Sequence, residues 1–229
     1  MKKIFLYGLL FFTASLGITS CSKDQHTDTK VTNFITLTIN GDKFVNVATG
    51  ASYVDAGCRA EAAGQDVSDK IVTNNPVDTK AIGPYTVTYK ATNEDGFSSS
   101  ATRTVYVGDP LLGNVSSGTN RKTAAGAVTN WSGFGIDMLT DGSGKYWVED
   151  LLGGYYEQRA GYGAAYSMKG FLQVNADNTV DLIGGGHVEG WNDDYSDFKD
   201  GKYDPATKTI SYTVVYAKMD FNVILTLDK

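Results

Sequence analysis

Histidine and cysteine are scarce in this chain of 229 residues, which has only two of each. The two histidines, His26 and His187, lie far apart, and no serine stands in the G-x-S-x-G turn that presents a hydrolase nucleophile. A histidine-based zinc site and a Ser-His-Asp triad both depend on histidine. The composition therefore predicts a protein without a metal site or a cofactor, and we expect it not to be an enzyme.

Basic residues are also in deficit, since 20 Lys and Arg face 26 Asp and Glu and the formal net charge is −6. Nucleic-acid binding depends on Lys and Arg side chains that neutralise phosphates. The sequence also lacks the G-x-x-x-x-G-K-[ST] loop that cradles nucleotide phosphates. We therefore expect no nucleic-acid partner.

Long apolar runs are lacking apart from one near the N-terminus. The run from Ile4 to Ile18 carries no charge and follows Lys2 and Lys3. It has about 15 residues, short of the ~20 that a membrane-spanning helix needs, and it fits the apolar region of a signal peptide. We predict that residues 1–20 are removed. This takes away two of the 20 basic residues and none of the 26 acidic ones, so the net charge becomes −8.

A cysteine stands where this leader ends. Ile18-Thr19-Ser20-Cys21 resembles a lipobox, the processing site of bacterial lipoproteins, in which small residues precede the cysteine. The resemblance implies that Cys21 becomes the N-terminus and carries acyl chains such as palmitate, and several chains together anchor a protein stably. The first expected partner is therefore a lipid bilayer.

The polar stretch after Cys21 shows no apolar period, so residues 21–33 are predicted to form a lipidated flexible tether. Its Lys23-Asp24 pair resembles the export signal of surface-exposed lipoproteins in the Bacteroidetes. That resemblance implies an outer-membrane lipoprotein exposed at the cell surface. With Cys21 lipidated, Cys58 has no partner for a disulfide, and we expect it to be a small buried hydrophobic residue.

Residues 34–108 alternate with period two. Segments such as FITLTIN, YTVTYKATN and ATRTVYV set β-branched and aromatic residues against Thr, Lys and Arg. In one of them, Tyr85, Val87 and Tyr89 should share the core face. Turn residues separate the segments, and this pattern predicts a sandwich of about seven strands.

The same residues resemble a known family, the immunoglobulin-like domain of bacterial surface proteins. The motifs in order are ITLTINGDKFVNVATGASYVDAGCRA, DVSDKIV, PVDTKAIGPYTVTYKATNEDGFSS and ATRTVYV. The resemblance implies an immunoglobulin-like sandwich that acts as a spacer or an adhesion module.

Residues 115–229 are predicted to form a second antiparallel β domain, after a boundary at Gly108 to Asn114. SMKGFLQV and TVDLIGG flank a turn and predict a hairpin, and two more alternating strands end the chain. The predicted fold class is thus all-β, with an immunoglobulin-like sandwich followed by an antiparallel β-barrel or a second sandwich. The run GKYDPATKTISYTVVY is similar to the C-terminal domains of Bacteroidetes outer-membrane lipoproteins encoded beside glycan-uptake systems.

Aromatic residues concentrate in this second half, which holds all three tryptophans. Trp and Tyr rings with polar neighbours suit carbohydrate, whose C–H faces stack on the rings while hydroxyl groups need polar partners. The residues that we expect to form a ligand platform are Trp147, Tyr155, Tyr156 and Trp191. The alternative is that these rings fill the core of a small domain.

The resulting prediction is a non-catalytic lipoprotein that captures extracellular polysaccharide or oligosaccharide and works with outer-membrane uptake proteins. One alternative is a structural or adhesive protein that binds another protein. A second is a glycoside hydrolase, which needs two facing carboxylates, with Glu149, Asp150, Glu157 and Glu189 available.

Five aspartates between Trp191 and Asp204 are expected to lie in a solvated acidic loop.

Overall fold

The computed structural model describes residues 31–111 and 119–227, together with the backbone of 115–116. The predicted signal peptide, Cys21 and nearly all of the predicted tether lie outside these residues. Strands make up almost all of the regular structure. Among the described residues, no helix is long and apolar enough to cross a membrane.

Seven strands form the first half of the described chain, as the alternation predicts. A three-stranded sheet has the order β1-β3-β4 and a four-stranded sheet has the order β2-β7-β6-β5, in which β2 and β7 are parallel. A 3-10 turn at Ser68–Lys70 lies between β4 and β5. The strands are β1 (Thr36–Ile39), β2 (Phe44–Val47), β3 (Cys58–Ala62), β4 (Gln65–Asp66), β5 (Val72–Asn74), β6 (Gly83–Thr92) and β7 (Ser98–Val107).

Period-two alternation accounts for the core of this sandwich. Val87 and Tyr89 of β6 and Val105 and Val107 of β7 are completely buried, because every second side chain of a strand points to the same face. Tyr85 is half-buried against the same cluster. The predicted immunoglobulin-like sandwich is confirmed. Cys58 is half-buried rather than fully buried, and it is a free thiol that packs against this cluster.

A buried arginine joins the loops of this sandwich. The guanidinium of Arg103 donates hydrogen bonds to the carboxylate of Asp55, to the Tyr89 hydroxyl at 2.8 Å and to the backbone oxygen of Asp42 at 2.9 Å. Tyr89 in turn donates to Asp55 at 2.7 Å. A buried charge needs such partners, so this network is part of the architecture of the sandwich.

The second half forms two further sheets. One has the order β16-β15-β14-β13-β12-β8, and the other has the order β11-β10-β19-β18-β17 with β9 paired to β19. The strands are β8 (Asp109–Leu111), β9 (Val115–Ser116), β10 (Thr119–Thr123), β11 (Val128–Trp131), β12 (Met138–Thr140), β13 (Lys145–Val148), β14 (Met168–Val174), β15 (Val180–Val188), β16 (Asp193–Asp194), β17 (Asp197–Asp204), β18 (Thr209–Tyr216) and β19 (Met219–Thr226).

These two sheets do not close into a barrel, so the second sandwich is the correct one of the two predicted alternatives. The predicted hairpin is β14 and β15. Alternating residues of β18 and β19 meet in one core, where Tyr212, Val214, Phe221 and Val223 are at most 2% exposed. A π-helical turn (Tyr155–Arg159) and a 3-10 turn (Ala164–Tyr166) lie between β13 and β14.

An apolar junction connects the two halves. Ile82, at the start of the β6–β7 hairpin, is buried together with Leu139 and Trp147 of the second half, and Tyr106 and Phe171 pack against them. Asn33–Lys229 accordingly form one compact unit. The predicted division into 34–108 and 115–229 remains a prediction about which parts fold independently.

Candidate functional site: an aromatic pocket

Five aromatic rings form a surface cluster in the second half. Trp191 lies at its centre, and its ring centroid is 4.7 Å from those of both Tyr156 and Tyr166, 5.7 Å from that of Tyr162 and 6.4 Å from that of Tyr216. Such distances are typical of favourable aromatic contacts. The Trp191 ring is therefore held in place on several sides.

Three of the tyrosines come from the glycine-rich segment between β13 and β14. The backbone N–H of Tyr162 donates to the backbone oxygen of Tyr156 at 3.0 Å, and the backbone N–H of Gly163 donates to the backbone oxygen of Glu157 at 3.2 Å. These bonds fold the segment back on itself. Tyr156 and Tyr162 consequently lie nearly parallel, with 10° between their planes and 6.2 Å between centroids.

Trp191 reaches this segment from the turn that follows β15. The backbone N–H of Gly190 donates to the backbone oxygen of Ala165 at 2.7 Å, and the backbone N–H of Trp191 donates to the backbone oxygen of Val188 at 3.2 Å. A Cβ atom at Gly190 would lie 2.5 Å from the Tyr166 ring, closer than van der Waals contact permits. Glycine is therefore required here for the turn to approach the tyrosine.

The cluster borders an open pocket of about 500 Å³, which we call the aromatic pocket. Trp191 is 42% exposed and Tyr162 is 56% exposed, whereas Tyr216 is only 2% exposed. Tyr216 therefore belongs to the core side of the pocket, and the two exposed rings present apolar surface to solvent. The lining residues are Tyr156, Tyr162, Trp191, Asn192, Asp193, Tyr216 and Ala217.

Polar groups also line this pocket. Asn192 and Asp193 are both exposed, and the Asp193 Oδ1 atom accepts the N–H of Asp194 at 3.0 Å. Burial, followed by the negative charge of Asp193, raises the pKa of Tyr216 to about 12. Its hydroxyl group therefore keeps its proton at neutral pH and remains a hydrogen-bond donor beside the Asp193 carboxylate.

The structure brings together only part of the predicted platform. Tyr156 and Trp191 are in the aromatic pocket, but Trp147 is buried in the junction between the halves and is 5% exposed. Expecting Trp147 on an exposed platform is therefore wrong in this structure. The alternation correctly separates Trp147 from Val148, but both faces of β13 are covered, one by each half of the protein.

Tyr155 is likewise a core residue, 6% exposed. Its ring contacts Trp131 at 4.8 Å and Tyr156 at 4.8 Å, and the guanidinium groups of Arg121 and Arg159 lie 4.8 and 5.2 Å from its centroid. Such cation–π contacts stabilise a ring at the edge of a core. Tyr155 thus supports Tyr156 from below and is absent from the pocket wall.

Sequence reasoning did not select Tyr162, Tyr166 and Tyr216 as site residues. The first two belong to the segment GGYYEQRAGYGAAY, whose concentration of tyrosine and glycine could have indicated them as site residues. The alternation of β18 correctly indicates that the Tyr216 side chain faces inward. Its position at the floor of a pocket depends on the tertiary fold.

The carboxylates available for a hydrolase do not line the aromatic pocket. Asp150 is completely buried and accepts three backbone N–H groups, those of Leu152 at 2.9 Å, Gly154 at 2.9 Å and Met168 at 3.0 Å. Burial raises its pKa to about 7. A carboxylate enclosed in this way holds a turn together and cannot face a sugar.

Glu149 and Glu157 form a separate acidic group near Asp137. Burial is the main cause of the raised pKa of each, and the charge of Asp137 adds to it in both. In the described part of the chain, no group of three or more His, Cys, Asp or Glu residues is arranged to hold a metal ion.

The predicted acidic loop is wrong as a loop, because its five aspartates lie in β16 and β17. The Nδ1–H group of His187 donates to the Oδ1 atom of Asp194 at 2.7 Å across the β15–β16 pair. This contact fixes the turn that carries Trp191.

Comparison with known proteins agrees with this architecture. The family described as "bacterial surface protein, Ig-like domain" matches residues 37–107, and a family described as a C-terminal domain matches residues 109–227. No curated protein matches the chain. A crystal structure of the lipoprotein BT2262 from Bacteroides thetaiotaomicron is 34% identical, covers 84% of this chain and 100% of its own, and has a TM-score of 0.59.

The fold and these matches define a bacterial cell-surface lipoprotein with an immunoglobulin-like domain and a C-terminal β domain. The chain belongs to the family of the lipoprotein BT2262. The resemblances of residues 34–108 to the immunoglobulin-like domain of bacterial surface proteins and of the C-terminal domain to those of bacterial lipoproteins are confirmed, and the matches indicate no catalytic family.

Proposed function

We propose that this lipoprotein captures extracellular glycan, without catalysis, through the aromatic pocket. The observation that carries the proposal is Trp191, whose ring is held by four tyrosines and yet is 42% exposed. A fixed ring with a free face is suited to stacking against the C–H face of a sugar. Asn192 and Asp193 supply polar partners for hydroxyl groups beside it.

The shape of the pocket favours a polymer over an enclosed small molecule. Drug-sized ligands are mostly held in clefts that bury the greater part of their surface, whereas this pocket is open to solvent and Tyr162 stands exposed at its edge. A chain could cross such a surface with only one or two of its sugar units in contact. We therefore expect affinities between the millimolar and micromolar ranges, about −4 to −8 kcal/mol.

The proposal includes the location of the protein. A lipidated Cys21 would anchor the mature chain in the outer membrane, with palmitate among its acyl chains, and the polar residues of 21–33 would separate the folded unit from the lipid. Glycan held there would pass to outer-membrane uptake proteins. This placement rests on the leader sequence and on the surface-lipoprotein family.

The test is a binding measurement on the mature protein, from Cys21 onward, in detergent. A panel of extracellular polysaccharides and their oligosaccharides identifies a ligand, and Trp191→Ala should then reduce its affinity by at least about tenfold, equivalent to 1.4 kcal/mol. Tyr162→Ala should have a smaller effect in the same direction. Phe44→Ala is the matched control, since Phe44 is 61% exposed but lies in the first half.

Two results would contradict the proposal. One is the absence of binding to any glycan by the wild-type protein. The other is a Trp191→Ala variant that binds as tightly as the Phe44→Ala control.

A further inference from the structure

We propose that the aromatic pocket selects a ligand that carries a positively charged ammonium group, either an amine or an N-methylated amine. This inference deepens the proposed function, on which it rests, by specifying the chemical class of glycan. It follows from the relative orientation of the rings and from the charge of the residues that line the pocket.

The rings form a corner instead of one flat surface. Trp191 lies nearly perpendicular to Tyr156, at 81°, and to Tyr162, at 87°, whereas those two tyrosines are within 10° of parallel. A neutral sugar ring stacks best on a single flat face. Ring faces that meet at right angles instead suit a compact, rounded group that touches two faces at once.

The faces of aromatic rings carry negative electrostatic potential, so a cation gains from each face that it approaches within about 6 Å of the ring centroid. Trp is the most favourable residue for this contact, followed by Tyr. A corner built from the exposed rings of Trp191 and Tyr162 therefore attracts a cation from two directions, while a neutral group of equal size gains only dispersion.

The charges beside the corner also favour a cation. Asp193 lines the pocket, and among the described residues the lining includes no Lys or Arg. The Asp193 carboxylate is oriented, since its Oδ1 atom accepts the N–H of Asp194 at 3.0 Å and the Tyr216 hydroxyl lies beside it. A ligand ammonium group could thus contact ring faces and a fixed carboxylate together.

A positive charge next to Tyr156 indicates where the ammonium group would lie. Arg121 is 4.8 Å from the Tyr155 ring centroid and interacts with the side chain of Tyr156. Repulsion from this guanidinium disfavours a second cation near the Tyr156 hydroxyl. We therefore place the ligand's ammonium group on the Trp191 and Asp193 side.

The first experiment tests the ammonium group without any glycan. Binding of choline and of its uncharged isostere 3,3-dimethylbutan-1-ol to the mature protein and its variants is measured by NMR, by following the signals of the two ligands. We expect choline to bind about tenfold more tightly, equivalent to 1.4 kcal/mol. Asp193→Asn should remove most of this preference, and Trp191→Ala should weaken binding of choline itself.

Asp197→Asn is the matched control, because Asp197 is likewise exposed and likewise accepts the N–H of the next residue, Phe198, at 2.9 Å, but does not line the aromatic pocket. It should retain the preference for choline. Equal binding of choline and its isostere, or an equal loss of preference in Asp193→Asn and Asp197→Asn, would overturn the inference.

The second experiment separates this inference from the proposed function. Oligosaccharides of glucosamine and of N-acetylglucosamine are compared at a pH at which the free amine is charged. Tighter binding of the glucosamine form, lost in Asp193→Asn, supports both proposals. If neutral glycans bind with equal or higher affinity, glycan capture stands and the ammonium preference is wrong. If choline is preferred but no glycan binds, the ammonium site stands and glycan capture is wrong.

Discussion

Replacing Trp147 by alanine should destabilise the folded protein by about 3 kcal/mol or more. Trp147 is 5% exposed and packs with Ile82 and Leu139 at the junction between the two halves. A buried tryptophan removes roughly 200 Å² from water, which at about 25 cal/mol per Å² corresponds to roughly 5 kcal/mol. Measured truncations of buried Phe and Trp to Ala cost about 3–5 kcal/mol.

The lower part of that range applies here, because Trp147 also borders a cavity of about 200 Å³. A ring that faces a cavity lacks packing partners on that side, so its removal forfeits fewer contacts than the removal of a fully enclosed ring. Phe44 lines the same cavity but is 61% exposed, and Phe44→Ala should cost less than about 1 kcal/mol.

The assay is urea unfolding of both variants, followed by near-UV circular dichroism. Since Trp147 belongs to the second half and Ile82 to the first, its loss weakens the contact that couples them, and a single unfolding transition could separate into two. A Trp147→Ala variant within about 1 kcal/mol of wild type would refute the reasoning. It would mean that the junction contributes little to stability and that the two predicted domains fold independently.

Three further outcomes are expected. Asp150→Ala should cost at least about 3 kcal/mol in denaturant unfolding, because three buried backbone N–H groups lose their acceptor at about 1–3 kcal/mol each; a loss below 1 kcal/mol would contradict the role assigned to that carboxylate. The hydrogen bond to Asp194 is the main cause of the raised pKa of His187, so the pair stabilises the β15–β16 turn at low pH and loses that effect as pH rises through this pKa. An NMR titration should show the raised value in the wild type and a value near 6.5 in Asp194→Asn, and unchanged titration would count against the pairing. Cys21→Ala should leave an unprocessed, unlipidated precursor, and a variant that still stays with washed outer membranes would exclude anchoring through that cysteine.

Strand positions were predictable because local alternation reports which side chains face a core. In β18, a period of two places Ile210, Tyr212, Val214 and Tyr216 on one face, and all four are at most 2% exposed. The same reasoning placed the β14–β15 hairpin. These assignments depend only on the period of two within each strand, which is a property of the chain itself.

The burial of Trp147 was not predictable from alternation within its strand. Period two separates the two faces of β13, and Val148 does enter the core of the second sandwich. The opposite face would be exposed in an isolated domain, but the first half covers it through Ile82 and Tyr106. Contacts between parts distant in sequence leave no periodic signal, so the sequence could not distinguish this tryptophan from an exposed one.

The contrast between Trp147 and Trp191 bears on which ring is free to bind a ligand. Trp147 is nearly enclosed, so its surface is already used to hold the two halves together. Trp191 is held by four tyrosine rings and by a turn that Gly190 allows to approach Tyr166, yet 42% of it faces solvent. A ring that is ordered before binding avoids the ~0.5–1.5 kcal/mol that immobilising a side chain costs at an interface. The tyrosines around Trp191 therefore contribute to affinity even where they do not touch the ligand, because they keep its exposed face in one position.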